Sequence, residues 1–365
     1  LVFCASDASV AGGKIAQFNP KAIRLSSESS STVLPRDLRL EALEQWLQST
    51  LGTGELTLER ASEDASFRRY FRIRAGDATW IAMDAPPERE DCNPFVKVAA
   101  LMLEAGLHVP KVLAQDLGRG YLLLTDLGTT TYLRALDDKN ADDLFNDAID
   151  ALVRWQLASR EGVLPPYDGA LLTRELELFP EWYLGRHLGM DASGGRERLS
   201  DVFTKLVAAA RAQPQVYVHR DYMPRNLMVS TPNPGVLDFQ DAVYGPITYD
   251  VVSLFRDAFV SWPEARVLDW AIRYWERAKK AGLPVAPDFA EFYRDFEWMG
   301  LQRHLKVLGI FARIHYRDGK PGYLADAPRF LAYARPVAER YRELRELVGL
   351  LDTVEARVPH TAFTF

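Results

Sequence analysis

The sequence predicts an α+β chain of two lobes, a small mixed-sheet lobe followed by a mostly helical one. Between residues 56 and 125, short strand-like runs are separated by turn formers and by a single helical stretch. From about residue 129 onward, apolar residues recur at helical spacing. The 365 residues, 48% of them hydrophobic, provide apolar material for two such bodies.

Each element has its own signal. Residues 1–33 carry the run Ser26-Ser27-Glu28-Ser29-Ser30-Ser31 without periodicity and are expected to be a disordered tail. Leu38, Leu40, Leu43, Trp46 and Leu47 place a helix at about 36–49. Strands are expected at Leu56–Leu58, Tyr70–Arg74 and Thr79–Met83, then a helix from Pro94 to Ala105 ended by Gly106. Two further strands, Lys111–Gln115 and Tyr121–Thr125, complete a first lobe over 34–125. Helices near 141–159, 174–187, 197–212, 263–281, 289–315 and 328–350 build the second lobe, 126–352, with a short tail at 353–365. The interruption at 216–250 is rich in polar and turn-forming residues.

Composition removes several classes of function. A net charge of −6 leaves no bulk basic surface for nucleic acid or an anionic membrane. Two cysteines, Cys4 and Cys92, exclude a disulfide framework and a multi-cysteine zinc site, and fit a reducing cytoplasm. No stretch reaches 18 consecutive apolar residues, and the first residues lack the apolar core of a secretory signal.

The chemistry concentrates in the interruption. In Val216-Tyr217-Val218-His219-Arg220-Asp221-Tyr222-Met223-Pro224-Arg225-Asn226-Leu227-Met228-Val229, apolar segments flank a loop in which an Asn follows His-Arg-Asp by five residues. That is the pattern of a phosphoryl-transfer catalytic loop. Asp221 would accept the proton of an acceptor hydroxyl and orient it in line with a γ-phosphorus. Asn226 would place its side-chain oxygen on a magnesium ion, which prefers oxygen ligands and bridges phosphates. Pro234-Gly235-Val236-Leu237-Asp238-Phe239-Gln240 follows as a turn and short strand ending in Asp238, a second magnesium ligand, with Gln240 where protein kinases carry Gly. A single loop Asp is usually a turn former or a cap. The two segments together are specific. His219 is expected to hold the loop rather than act as base, and Asp250 to anchor it through its backbone. Arg225 is a candidate for a phosphate or for a surface ion pair.

These two segments, with Asp241-Ala242-Val243-Tyr244-Gly245-Pro246-Ile247-Thr248-Tyr249-Asp250, resemble the aminoglycoside phosphotransferase/choline kinase-like superfamily, whose fold is bilobal and protein-kinase-like. Ser62-Glu63-Asp64-Ala65-Ser66-Phe67-Arg68-Arg69-Tyr70-Phe71-Arg72, Met83-Asp84-Ala85-Pro86-Pro87 and Gln302-Arg303-His304-Leu305-Lys306-Val307-Leu308-Gly309-Ile310-Phe311 are similar to the bacterial anomeric amino-sugar kinases within it. The resemblance spans roughly 35–350. It implies ATP and Mg2+ as cofactors, and phosphorylation of the C1 hydroxyl of N-acetylmuramate and N-acetylglucosamine in peptidoglycan recycling; separately, the chain is expected to be a monomer. By it Asp221 is the base, and Asn226 and Asp238 hold the metal. Ser66, Phe67, Arg68 and Arg69 cover the phosphates. Thr125 and Leu127 lie in the interlobe linker that reads adenine. One departure stands out: the third strand ends Ile81-Ala82-Met83-Asp84, without the Lys that protein kinases place there. Arg69, Arg72 and Lys97 are candidates to replace its charge.

The acceptor is a separate question. Arg303, Lys306, Arg313 and Arg317 fall near one helical face, with His304 and His315 interleaved. A basic face suits an anionic acceptor group such as a lactyl carboxylate, and it equally suits a solvated surface. Glu175 and Glu177 are candidates to hold sugar hydroxyls, or else belong to an amphipathic helix. Two rivals stay open: a kinase of another small alcohol, aminoglycoside or amino alcohol, and a non-catalytic nucleotide-binding regulator.

Overall fold

A computed structural model describes residues 37–62 and 67–357, so the expected tail at 1–33 and the loop residue Ser66 lie outside the described residues. The described chain divides into two compact units, 37–91 with 113–124 and 92–112 with 125–357. The helix over Asn93–Glu104, grouped with the first lobe by sequence, falls in the larger unit.

The smaller unit begins with helix α1 (Leu38–Leu51). Asp37 starts it by accepting a hydrogen bond from the Leu40 N–H at 3.0 Å, and Gly52 ends it at φ +67°. Strands β1 (Thr57–Ser62), β2 (Arg69–Ala75) and β3 (Ala78–Asp84) follow as an antiparallel run, with a register irregularity in β1 between Arg60 and Ser62. After helix α2 (Asn93–Glu104) of the larger unit come β4 (Val112–Asp116) and β5 (Tyr121–Thr125), and the sheet order is β1-β2-β3-β5-β4. Leu43 and Leu47 of α1 pack on Phe71, Ile73, Ala82, Tyr121 and Leu123 of the sheet. The end of β3 meets the turn before β5 closely. A Cβ at Gly120, which has φ +73°, would fall 1.8 Å from the Ala85 carbonyl oxygen.

The larger unit is mostly helical, as the spacing predicted. Its elements are α3 (Tyr132–Ala135), α4 (Ala141–Leu157), α5 (Gly169–Leu176), α6 (Ala192–Ala212), α7 (Tyr249–Phe255), α8 (Glu264–Lys280), α9 (Phe289–Asp318), α10 (Ala327–Arg340) and α11 (Arg345–Glu355). Two stretches expected to be single helices are divided. The one near 174–187 becomes α5 and a π-helical segment, Phe179–His187, because Pro180 has no N–H to continue the ladder. The one near 328–350 breaks at Tyr341, which is extended (φ −108°, ψ 119°). Asp288 caps α9 with bonds from Ala290 N and Glu291 N at 2.7 and 3.3 Å. The helix then runs 30 residues to Gly319, and residues 296 to 312 are buried without a gap. At its middle, α9 crosses the segment after α5 at very short range. A Cβ on Gly309 would lie 2.3 Å from the Leu178 carbonyl carbon.

Four short strands interrupt the helices: β6 (Gln215–Val218), β7 (Leu227–Met228), β8 (Gly235–Val236) and β9 (Val243–Pro246). β6 pairs with β9 and β7 with β8, both antiparallel. These pairs carry the loops that hold the candidate chemistry.

Candidate active site

β6 delivers the chain into His219-Arg220-Asp221, a 3-10 turn at Pro224–Asn226 leads out into β7, and β8 returns it to Asp238. Two residues of this circuit, Arg220 (φ +76°) and Asp238 (φ +62°), hold left-handed backbone without being glycine. Such geometry costs of order 1–3 kcal/mol and persists only when surrounding bonds impose it. Those bonds are present. Asp250, at the start of α7 and fully buried, accepts the His219 N–H at 2.7 Å and the Arg220 N–H at 3.0 Å. The His219 ring spans the circuit from inside. Its Nδ1 accepts the Asp221 N–H at 3.2 Å, which leaves Nε2 to donate to the Leu237 carbonyl at 3.0 Å. The Leu237 N–H in turn reaches the Asn226 carbonyl at 2.9 Å. The two predicted segments are therefore tied together by backbone and imidazole before any ligand is considered.

Burial lowers the pKa of His219 to about 4, against weaker raising by the Asp221 charge. The ring is neutral in the folded chain near pH 7. In the unfolded chain it titrates near 6.5. Between those values the unfolded state binds the extra proton, so this residue's contribution is complete above pH ~6.5 and is lost as pH falls toward 4. The change is on the order of 3 kcal/mol. Urea unfolding across that window should show a slope that flattens in His219→Gln. An unchanged slope would mean that the ring is not held neutral.

Asp221, Asn226 and Asp238 come together. Asn226 Nδ2 donates to the Asp221 carbonyl at 2.9 Å and lies 3.4 Å from Asp238 Oδ2. Gln240 Nε2 holds the other Asp238 oxygen, Oδ1, at 2.8 Å. With its amide nitrogen so engaged, Asn226 has Oδ1 to offer a metal. One amide oxygen and one carboxylate form an oxygen-only donor set, which fits magnesium completed by phosphates and water. No group of three or more His, Cys, Asp or Glu side chains able to hold a metal occurs among the described residues. Burial pushes the Asp221 carboxyl up, while the neighbouring cations Lys306, Arg220 and Arg303 pull it down.

The remaining candidates are placed as follows. Arg225 stacks over the Phe259 ring at 4.6 Å. Thr125 Oγ1 accepts the Lys111 N–H at 2.9 Å, and Leu127 is half-buried. In the smaller unit Phe67 is exposed under the Arg89 guanidinium, and Arg68 pairs with Glu90 at 3.0 Å. Arg69 pairs with Asp84 at 2.5 Å and with Asp37. Asp84, the residue that ends the lysine-free third strand, is fully buried and also takes Arg39 at 2.7 Å. Lys97 donates to the Val163 carbonyl.

Glu177 is half-buried and pairs with Arg196. Glu175 is buried, and its carboxylate accepts from Arg220 Nη2 at 2.6 Å and from the Tyr167 hydroxyl. Arg303 is 1% exposed, and its Nη1 makes no hydrogen bond. His304 is fully buried between Phe330 and Tyr333, at ring distances of 5.6 and 5.0 Å. Burial, with Arg256 and Arg303 nearby, keeps it neutral. Sequence reasoning missed Arg220, Tyr167 and Tyr249 as parts of the site. Only Lys306 carried a signal, its place on the basic face of α9.

An Asp–Asn–Asp constellation on loops between short strands of a mostly helical unit, in a chain that also carries a five-stranded sheet unit, defines a phosphotransferase of the kinase type. Comparison with known proteins agrees. The chain belongs to the Phosphotransferase enzyme family, whose model matches residues 57–289. It is 56% identical over 329 residues to the N-acetylmuramate/N-acetylglucosamine kinase of Pseudomonas aeruginosa, covering 87% of this chain and 97% of that one. It is 49% identical over 330 residues to the protein of that name from Neisseria meningitidis serogroup B, covering 88% and 98%. Among solved structures it shares its fold with the choline kinase LicA of Streptococcus pneumoniae, at a TM-score of 0.59 and 12% identity, covering 81% of this chain and 98% of that one. The gentamicin complex of APH(2")-IIa matches at a TM-score of 0.55 and 12% identity, covering 82% and 97%. No described helix is long and apolar enough to cross a membrane.

Proposed function

We propose that the chain transfers the γ-phosphoryl group of ATP to the C1 hydroxyl of N-acetylmuramate or N-acetylglucosamine. The observation that carries this reading is 56% identity, over nearly the whole length of a relative, to a protein bearing that kinase name. The site supports the same chemistry. Asp221 is the general base for the acceptor hydroxyl. Asn226 and Asp238 would hold magnesium, which would supply the positive charge that offsets the nucleotide phosphates. Phe67, Arg68, Arg69, Thr125, Leu127 and Arg225 serve the nucleotide. His219 and Asp250 keep the loop in shape. Among the acceptor candidates, Arg303 is favoured, since a buried guanidinium with an unused donor, whose charge also acts on Asp221, suits an acceptor oxygen. Catalysis rests on positioning and charge stabilisation. A sugar 1-phosphate is the product expected of an enzyme that returns cell-wall sugars to precursor synthesis.

The test is a panel of acceptors in a coupled ADP-release assay, with phosphorus NMR of each product. Amino sugars should give a 1-phosphate signal. Strong turnover of a cationic alcohol with none on amino sugars would reassign the acceptor. Nucleotide binding without ADP release on any acceptor would make the chain a regulator.

A further inference from the structure

Lys306 is the one buried lysine among the described residues, 2% exposed in the middle of α9. Its ammonium donates to the Tyr249 hydroxyl at 2.7 Å and pairs with Glu175 Oε1 at 3.1 Å. The same Glu175 oxygen takes Arg220 Nη2 at 2.6 Å, and the Tyr167 hydroxyl occupies Oε2. The Arg220 guanidinium also lies 5.7 Å from the centroid of the Tyr167 ring. Burial would raise the Glu175 carboxyl, but Lys306, Arg220 and the Tyr167 hydroxyl bring it below the usual carboxylate range. Lysine is almost never fully buried unless paired. A buried ion cluster is also poor value as a source of stability, because well-packed apolar residues of the same volume often do better. This one stands one residue from the candidate base. Arg220 is clamped twice, by its backbone N–H on Asp250 and by its side chain on Glu175, and it carries the left-handed kink that immediately precedes Asp221.

We propose that Lys306 is a positioning residue for Asp221: by holding Glu175, which holds Arg220, it fixes the kink from which the Asp221 side chain is presented to the acceptor hydroxyl. This rests on Asp221 acting as the base. The partners of Lys306 in the fold are Glu175 and the Tyr249 hydroxyl, and by this proposal it acts through them. Its removal therefore lowers the rate of the bound complex and leaves binding nearly intact.

The experiment is steady-state kinetics on Lys306→Met, Lys306→Arg and Tyr249→Phe, each made alone and in an Asp221→Asn background, with thermal melts of every protein. Lys306→Met should lower kcat roughly 10–100-fold, with KM for ATP and acceptor within about threefold. Lys306→Arg should recover part of the loss. Tyr249→Phe, which removes one hydroxyl and no charge, should cost several-fold, and it carries the test if Lys306→Met does not fold. In the Asp221→Asn background the same changes should have no further effect on residual turnover, since Lys306 acts through that carboxylate. Three results would overturn the proposal: unchanged kcat with a lower melting temperature, a raised acceptor KM at constant kcat, or an equal loss with and without Asp221. Full turnover of Asp221→Asn alone would instead remove the base and so the premise.

Discussion

Asp221→Asn is expected to lower kcat by roughly 10²–10⁴-fold while the protein keeps its fold, the range that general acid–base catalysis usually contributes. The amide is isosteric with the carboxylate but cannot accept the acceptor proton. Bonds that bypass that carboxylate also hold the loop. His219 Nδ1 takes the Asp221 backbone N–H, and Asn226 takes its carbonyl. Asp250 holds the two preceding N–H groups. The variant should accordingly melt within a few degrees of the parent and bind nucleotide as well. ADP release measured beside a thermal melt decides the matter. A folded variant with near-parental kcat would show that the proton leaves by another route.

Asp238→Asn is expected to cost at least as much, roughly 10³-fold or more in turnover at ordinary magnesium concentration, because a metal bridging the phosphates supplies several kcal/mol of charge stabilisation. Asn is the informative substitution here. Asp238 sits at φ +62°, a conformation that Asn adopts readily, whereas Ala would add about 1–2 kcal/mol of backbone strain to the lost ligand. The Gln240 contact at 2.8 Å can also survive the change. A magnesium titration of ADP release should shift to higher concentration and reach a lower plateau. An unchanged midpoint would place the metal elsewhere.

What the sequence made legible was whatever is encoded locally. The His219–Asn226 loop and the return to Asp238 are contiguous segments whose spacing is imposed by the chemistry, so they stand out from a single chain. The helical unit was legible because one apolar face at a 3.6-residue period survives any arrangement of helices. The Glu175–Arg220–Lys306 cluster was not, because its members come from three separate elements, and Glu175 and Arg220 are 45 residues apart. By pattern Glu175 looked like a sugar ligand or a helix-surface acid, and Lys306 like one member of a basic stripe. Only packing separates that stripe into buried Arg303 and Lys306, half-buried Arg313, and exposed Arg317 paired with Asp318. The division at Pro180 was readable in principle, since proline cannot donate to the helical ladder, but the apolar period ran through it and masked the break.

The bare Cα at Gly309 has a reach beyond its own neighbourhood. Lys306 lies three residues before it on one strut, and Glu175 three residues before Leu178 on the other, so the crossing works as a gauge block for the charge pair beside it. Any side chain at 309 would jack the struts apart and lengthen a 3.1 Å separation that tolerates little slack. A lineage altering that single position would therefore alter the tuning of a loop it never touches.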